Sequence, residues 1–166
     1  FRSHEDLLKA MSIIKNQIKY KWQLFFIGRD DGIQHNLEKL AKELNISKNL
    51  KFFGMIKDIN TIWPNVDISI IPSHEEGFSN SLIEGMSYGL PSVVTNVGGN
   101  TEAISNGVNG LVVKSKSPQD LSAAILKLIN DKKLRIKLGN KAKHDVFKKF
   151  NYENTKTNYI NLYKNF

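Results

Sequence analysis

The chain has 166 residues, 40% hydrophobic and 10% aromatic, which suits one folded domain burying well over half of its unfolded surface and excludes a disordered polypeptide. It has no cysteine, which excludes disulfides and thiolate metal sites and fits a reducing compartment; no apolar run approaches the roughly 20 residues that span a bilayer, and no leader-like segment opens it, so a soluble, cytoplasmic domain is expected. Lys and Arg outnumber Asp and Glu by 24 to 16, a formal charge of +8 that favours anionic partners.

Leu7, Leu8, Met11, Ile14 and Ile18 recur at three- and four-residue steps, so the chain opens on an amphipathic helix, with a cap near Ser3 and Asp6 as the third residue of a capping box. Leu24 to Ile27 is a short buried strand ending at Gly28. A helix follows from about Gln34 to Leu44, then a strand from Leu50 to Phe53 ending at Gly54. A helical turn near Ile59 to Trp63 is broken by Pro64 before a strand over Asp67 to Ile71. Next come a helix over Ser81 to Tyr88, a strand over Ser92 to Val94, a Gly98-Gly99 turn, a helix over Thr101 to Ser105 and a strand over Gly110 to Val113. Helices run from there to the end.

Short β-rich runs alternating with helical ones predict an α/β fold, a doubly wound parallel sheet covered on both faces. Residues 1–166 form one domain without a linker or internal repeat. A doubly wound sheet ordinarily starts with a strand, so the first strand is expected upstream of Phe1, in a larger protein.

The basic excess sits late, in Lys127, Lys132, Lys133, Arg135, Lys137, Lys141, Lys143, Lys148 and Lys149, at spacings typical of a solvated helix face. Peripheral membrane association is the alternative expectation for that face. Nucleic acid is not expected as a partner.

The most informative stretch is IIPSHEEGFSNSLIEGMSYGLPSVVTNVGGNTEAISNGVNG, Ile70 to Gly110. An apolar strand stops at Pro72-Ser73, an acidic glycine-bearing loop follows, and a helix begins. At the carboxyl edge of a parallel sheet such a unit sets free N–H groups and a positive helix end beside phosphates, with Glu76 and Glu84 ready to accept from hydroxyls. Phosphate plus polyol points to a nucleotide sugar. The bland alternatives are a solvated loop acid for Glu76 and, with Glu84 placed in the first helical turn, a charge complementing the helix dipole. Glu102 beside Gly98-Gly99 has two readings, a structural turn or a ligand contact. His74 reads as structural before ligand contact, and His4, His35 and His144 as surface residues. A turn explains Gly28 to Gly32, with Asp30-Asp31 as a metal pair the alternative.

With these residues in place, Pro72 to Val113 resembles the C-terminal, donor-binding half of family-four retaining glycosyltransferases (glycosyl transferases group 1), enzymes with two facing Rossmann-like domains in the GT-B arrangement. The likeness rests on Glu76 and Glu84 as a Glu-x7-Glu element, the Gly-Leu-Pro turn and the Gly-Gly loop. Weaker likeness extends to FFIGRDDG, KFFGMI and the closing NYENTKTNYINLY. The resemblance implies that Glu76, the catalytic candidate, hydrogen-bonds hydroxyls of the transferred sugar as a positioning group. It implies that Gly77, Phe78, Ser79, Asn80 and Ser81 form the loop whose N–H groups meet sugar and diphosphate, that Glu84 takes the ribose, and that Met55 and Ile56 meet the nucleobase. It further implies a UDP- or GDP-sugar donor, no metal and no other cofactor. The transferred group would be a hexose-type sugar and the acceptor a glycan or lipid-linked molecule held by an N-terminal domain upstream of Phe1. This chain alone would then be inactive, and the whole protein would act in polysaccharide biosynthesis, in the cytoplasm or at the inner membrane face. The family's Arg and Lys near the first strand are not assigned. Ser79-Asn80 replaces its usual Gly-Leu and Gly85 its usual Ala. An epimerase of the same architecture and a noncatalytic basic docking module are the competing readings.

Overall fold

A computed structural model describes residues 2–75 and 77–149, Arg2 by its backbone alone; Glu76 and the segment NYENTKTNYINLY lie outside the described residues. Chain order is α1 (Arg2–Ile14), β1 (Leu24–Ile27), α2 (Gln34–Glu43), β2 (Leu50–Gly54), β3 (Ser69–Ile71), α3 (Asn80–Ser87), β4 (Ser92–Thr95), α4 (Asn100–Ala103), β5 (Leu111–Val113), α5 (Pro118–Asn130) and α6 (Lys132–Lys149). Single 3-10 turns at Ser47–Asn49, Ile59–Thr61 and Trp63–Asn65 fill the connections.

All strand pairs are parallel. β1 pairs with β2, placing Leu24 opposite Leu50 and Phe26 opposite Phe52, whose rings stack at 4.9 Å; the register shifts between Phe26 and Ile27. β3 pairs with β4 and β4 with β5, aligning Ile70, Val93 and Leu111 across one row. The ladders therefore form two sheets, β2-β1 and β3-β4-β5, in place of the single sheet expected from the strand pattern.

Because successive strand residues face opposite sides, β4 divides the core. Val93 belongs to the larger cluster, with Leu7, Leu8, Met11 and Ile14 of α1, Leu37 and Ala41 of α2, and Leu121, Ile125 and Leu128 of α5. Val94 belongs to the second, with Leu82 and Met86 of α3 and Ala142 and Val146 of α6. Both valines are fully buried, which is what a sheet covered on both faces requires. Apolar burial at about 25 cal/mol per Å² makes these two layers the main source of stability.

Several boundaries move. α1 begins before Ser3, so Ser3 lies inside the helix and no capping box forms; Asp6 is used elsewhere. Pro64 sits at an early position of a 3-10 turn, where its missing N–H costs nothing, and β3 starts at Ser69. Among the described residues no helix is long and apolar enough to cross a membrane.

Candidate functional site

β3 ends at Ile71, and from Pro72 the chain crosses the carboxyl edge of the sheet to α3. Three neighbours hold this crossing. Thr95, at the end of β4, donates its hydroxyl to the Ser73 carbonyl at 2.6 Å. The His74 ring nitrogen Nε2 lies 2.7 Å from Asp6 Oδ2 of α1, with both side chains mostly buried. The Gly99 N–H donates to the Gly77 carbonyl at 2.7 Å. Gly99 is required there by contact, because a Cβ would collide with the Gly77 carbonyl oxygen and fall 2.8 Å from Phe78 Cδ2. The Gly98-Gly99 turn thus supports the loop, which favours the structural reading of that turn. His74 is likewise a structural histidine.

α3 begins with Ser79, whose backbone is extended and whose Oγ accepts from Leu82 N–H at 3.3 Å. The Ile83 N–H reaches the Ser79 carbonyl at 3.3 Å. The N–H groups of Asn80 and Ser81 precede any carbonyl four residues back within the helix, so they remain for an external acceptor. Glu84 is the fifth residue of α3, in its second turn, and not in the first turn where the sequence placed it. It is therefore displaced along the axis from the orphan N–H groups of Asn80 and Ser81.

A cavity of about 1280 Å³ opens along this edge. It brings together Met55, Ile56, Ser79, Ser81 and Glu84 of the expected site. Gly77, Phe78 and Asn80 are exposed and do not line it. Glu84 is exposed at the rim, and among the described residues no cation pairs with it. Met55 is 77% exposed, an apolar side chain projecting beside the cavity. The turn carrying it is tied to α3, because Tyr88 donates its hydroxyl to Asn60 Oδ1 at 2.6 Å and its ring lies 6.4 Å from Trp63.

The cavity wall also includes Ser3, expected as a helix cap, and His4, expected as a surface residue but packed into this wall at the start of α1, together with the cations Arg29 and Lys57. His4 is half-buried against Phe26, and burial lowers its pKa from the ordinary histidine value. Arg29 is turned to Asp31 at 2.6 Å. Asp30 accepts from the N–H groups of Gly32, Ile33 and Gln34 at 3.0, 2.9 and 3.1 Å, and the bond from Gln34 leads in lowering its pKa. That carboxylate closes the turn before α2, in keeping with the turn reading of Gly28 to Gly32. No three His, Asp or Glu side chains converge among the described residues.

The late basic face is largely solvated, with Lys127, Lys132, Lys133, Lys137 and Lys143 exposed. Some of its members have fixed partners, among them Arg135, which donates to the Leu128 and Ile129 carbonyls at the end of α5, and Lys141, which pairs with Asp145 at 2.6 Å.

The family model described as "Glycosyl transferases group 1" matches residues 2–145. An uncharacterized glycosyltransferase of Methanocaldococcus jannaschii is 30% identical over 162 residues, 96% of this chain and 41% of that protein. The N,N'-diacetylbacillosaminyl-diphospho-undecaprenol alpha-1,3-N-acetylgalactosaminyltransferase of Campylobacter jejuni is 37% identical over 118 residues, 71% of this chain and 30% of that protein. Among solved structures, Anabaena HepE in complex with UDP superposes with a TM-score of 0.87 at 22% identity, covering 98% of this chain and 45% of that one, a likeness of fold. The chain thus spans less than half the length of each of these proteins.

Proposed function

This chain belongs to the glycosyl transferases group 1 family, and from that premise we propose that it is the donor-binding half of a retaining glycosyltransferase that moves a hexose-type sugar from UDP or GDP to a glycan or lipid-linked acceptor. The observation that carries the reading is the convergence of Met55, Ile56, Ser79, Ser81 and Glu84 on one cavity at the carboxyl edge of parallel strands. Two relatives agree in kind: HepE is solved with UDP, and the Campylobacter enzyme is named for transfer to a diphospho-undecaprenol-linked sugar.

In this reading the base rests against Met55 and Ile56, and Glu84 accepts from the ribose hydroxyls. The N–H groups of Asn80 and Ser81, with the positive end of α3, face the diphosphate and stabilise the charge that grows as it departs. Glu76 orients the sugar through its hydroxyls. The bond from the anomeric carbon to the diphosphate oxygen breaks as the acceptor oxygen bonds that carbon on the same face, and the acceptor's proton passes to the departing phosphate. No metal forms part of the proposal. The acceptor domain precedes Phe1, so the isolated chain transfers nothing, and the enzyme works in the cytoplasm with the basic face of α6 available to an anionic membrane.

Calorimetry or ligand-observed NMR with UDP, GDP and their sugars tests this. Weak saturable binding is expected, reduced about tenfold or more in Glu84→Ala by loss of charge-assisted hydrogen bonds. Binding unchanged in Glu84→Ala removes the ribose assignment, and no nucleotide binding at all removes the proposal.

A further inference from the structure

A second, smaller pocket of about 360 Å³ opens where β4 and β5 end. Asn96, directly after β4, and Lys114, directly after β5, line it with Thr101 and Asn106, all four exposed, over a floor of Ile104, Val112 and Val113. The turn from Gly98 to Thr101 separates this pocket from the loop between β3 and α3. On one side of the turn the Gly99 N–H bonds the Gly77 carbonyl; on the other, Thr101 lines the pocket. Phe78, 42% exposed, sets its ring against Gly99 between them. The frame is held by the chain's own backbone: Asn106 Oδ1 accepts from the Val112 N–H at 3.0 Å, and the N–H groups of Asn96 and Gly107 donate to the Val113 and Gly110 carbonyls, each at 2.8 Å. Polar groups of both senses are left over. Asn106 keeps its Nδ2 donors, and the Thr101 hydroxyl, which donates to the Gly98 carbonyl at 3.2 Å, keeps its lone pairs. The Asn96 amide and the Lys114 ammonium have no partner among the described residues, and no Asp or Glu lines the pocket.

We propose that this pocket is a subsite for one saccharide unit of the acceptor, a unit bearing an anionic substituent. Only the ligand's role as acceptor rests on the glycosyl-transfer reading. A sugar hydroxyl both donates and accepts, so side chains of mixed sense suit a polyol. A free phosphate or a diphosphate calls instead for several cations or a helix end; here there is one cation, and α4, four residues long, offers no helix end. The apolar floor suits the C–H face of a pyranose ring. Lys114 attracts an anion with no carboxylate set against it. Small-ligand pockets run from roughly 300 to 1,000 Å³, so this one has room for one ring and not for a nucleotide sugar. Because its polar side chains stand on a hydrogen-bonded frame, little ordering is required on binding. An acceptor held here lies across the Gly98–Thr101 turn from Gly77 and Phe78, so the domain takes part in acceptor recognition as well as in donor binding.

Amide NMR of this chain, titrated separately with methyl β-D-glucuronide, methyl β-D-glucoside, acetate and UDP, tests the subsite. The glucuronide is expected to shift the amides of Asn96, Thr101, Asn106 and Lys114 saturably, and the glucoside to act on the same amides about tenfold more weakly for want of a charge-assisted bond. Acetate is expected not to saturate them. Lys114→Ala should bring the glucuronide down to the affinity of the glucoside, and Asn96→Ala should weaken both sugars alike; each change removes an exposed side chain and leaves the rest of the spectrum in place. UDP is expected to shift Ser81 and Glu84 and not these amides, so failure of UDP to bind counts against the donor site alone and failure of the glucuronide against this subsite alone. The subsite is overturned by the absence of saturable shifts at these amides, by equal affinity for glucoside and glucuronide, or by a glucuronide affinity that either variant leaves unchanged. Acetate matching the glucuronide overturns it too, since Lys114 then acts as a lone surface charge.

Discussion

Gly99→Ala isolates the support beneath the loop between β3 and α3. Gly99 has φ −65° and ψ −9°, right-handed helical values that alanine adopts without strain, so the backbone offers no objection. Without a neighbour, the change would stabilise by about 0.4–1 kcal/mol through the unfolded chain. The neighbour decides the sign. The new Cβ collides with the Gly77 carbonyl oxygen, which accepts the Gly99 N–H, and lies 3.1 Å from Phe78 Cα. Relief requires the Gly77-Phe78 segment to withdraw by about 1 Å, with loss of a hydrogen bond worth about 1 kcal/mol and overpacking of about 1–3 kcal/mol. Gly77 and Phe78 are exposed and can move outward, which caps the cost. A net destabilisation of about 1–2 kcal/mol follows, a fall in Tm of roughly 2–8 °C for a chain of this length. Nucleotide-sugar affinity falls further, on the order of 10- to 100-fold, because a loop displaced by about 1 Å no longer presents its donors. Gly107→Ala is the control: φ is +74° and nothing lies within 4 Å of its Cβ, so it costs about 1 kcal/mol by backbone strain and leaves the loop alone. Scanning calorimetry and UDP-sugar titration of both variants decide the matter. A Gly99→Ala protein with a raised Tm and intact binding refutes the reasoning, as does equal loss of binding in Gly107→Ala.

Gly139→Ala tests the packing of α6 on the turn after α3: its Cβ would strike the Gly89 carbonyl and lie 3.5 Å from Pro91 Cδ, so urea unfolding is expected to show a loss of about 1–3 kcal/mol after the gain in helix propensity is subtracted. Asp145 is mostly buried, which opposes its charge, yet bonds from Lys141, His144 and Asn109 outweigh burial and hold its carboxyl below the usual aspartate range. Its contribution is therefore present above the unfolded pKa and lost as pH falls through the folded one; wild type should exceed Asp145→Asn by about 1–2 kcal/mol at pH 7 and lose that margin below about pH 4 in urea titrations. His4, with its pKa lowered by burial, binds a proton more readily unfolded than folded. Stability should fall as pH drops below about 6.5, and less so in His4→Gln; parallel pH profiles of the two proteins exclude the assignment.

The fold was legible wherever periodicity and punctuation agreed. Leu24 to Ile27, a four-residue apolar run closed by glycine, is β1 to the residue, and α2 and α3 lie within one residue of their expected ends. The boundaries that moved are those where two local signals competed. Pro64 reads as a breaker, but at an early position of a 3-10 turn its fixed φ and absent N–H are compatible with the turn. Ser3 and Asp6 have capping-box spacing, but the carboxylate finds His74, 68 residues away, and a long-range partner is invisible to a local rule. The division of the strands into two sheets was equally out of reach, because a residue pattern marks a strand without saying which edge is paired.

The site follows the same division. Apart from Met55 and Ile56, the residues proposed to touch a ligand stand in one short stretch and could be marked in advance, because strand end, loop and helix start are consecutive in sequence. The residues that hold them are scattered: Asp6 on α1, Thr95 on β4, and Gly99 one turn later. Of these, only Gly99 announced itself, through the glycine pair. The correction at Glu84 shows what such placement decides. In the first turn its carboxylate would compete with a phosphate for the N–H groups of Asn80 and Ser81 and repel it; one turn further on, it leaves them free and stands about 5 Å along the axis. A donor with an anionic centre and hydroxyls on the nucleoside side fits that offset, whereas a simple phosphate ester has nothing to offer Glu84. On the proposed donor reading, discrimination between UDP and inorganic pyrophosphate depends on Glu84, and Glu84→Gln, which keeps the shape and removes the charge, is expected to narrow their affinity ratio while leaving pyrophosphate binding unchanged or stronger; a ratio that stays fixed places the ribose elsewhere.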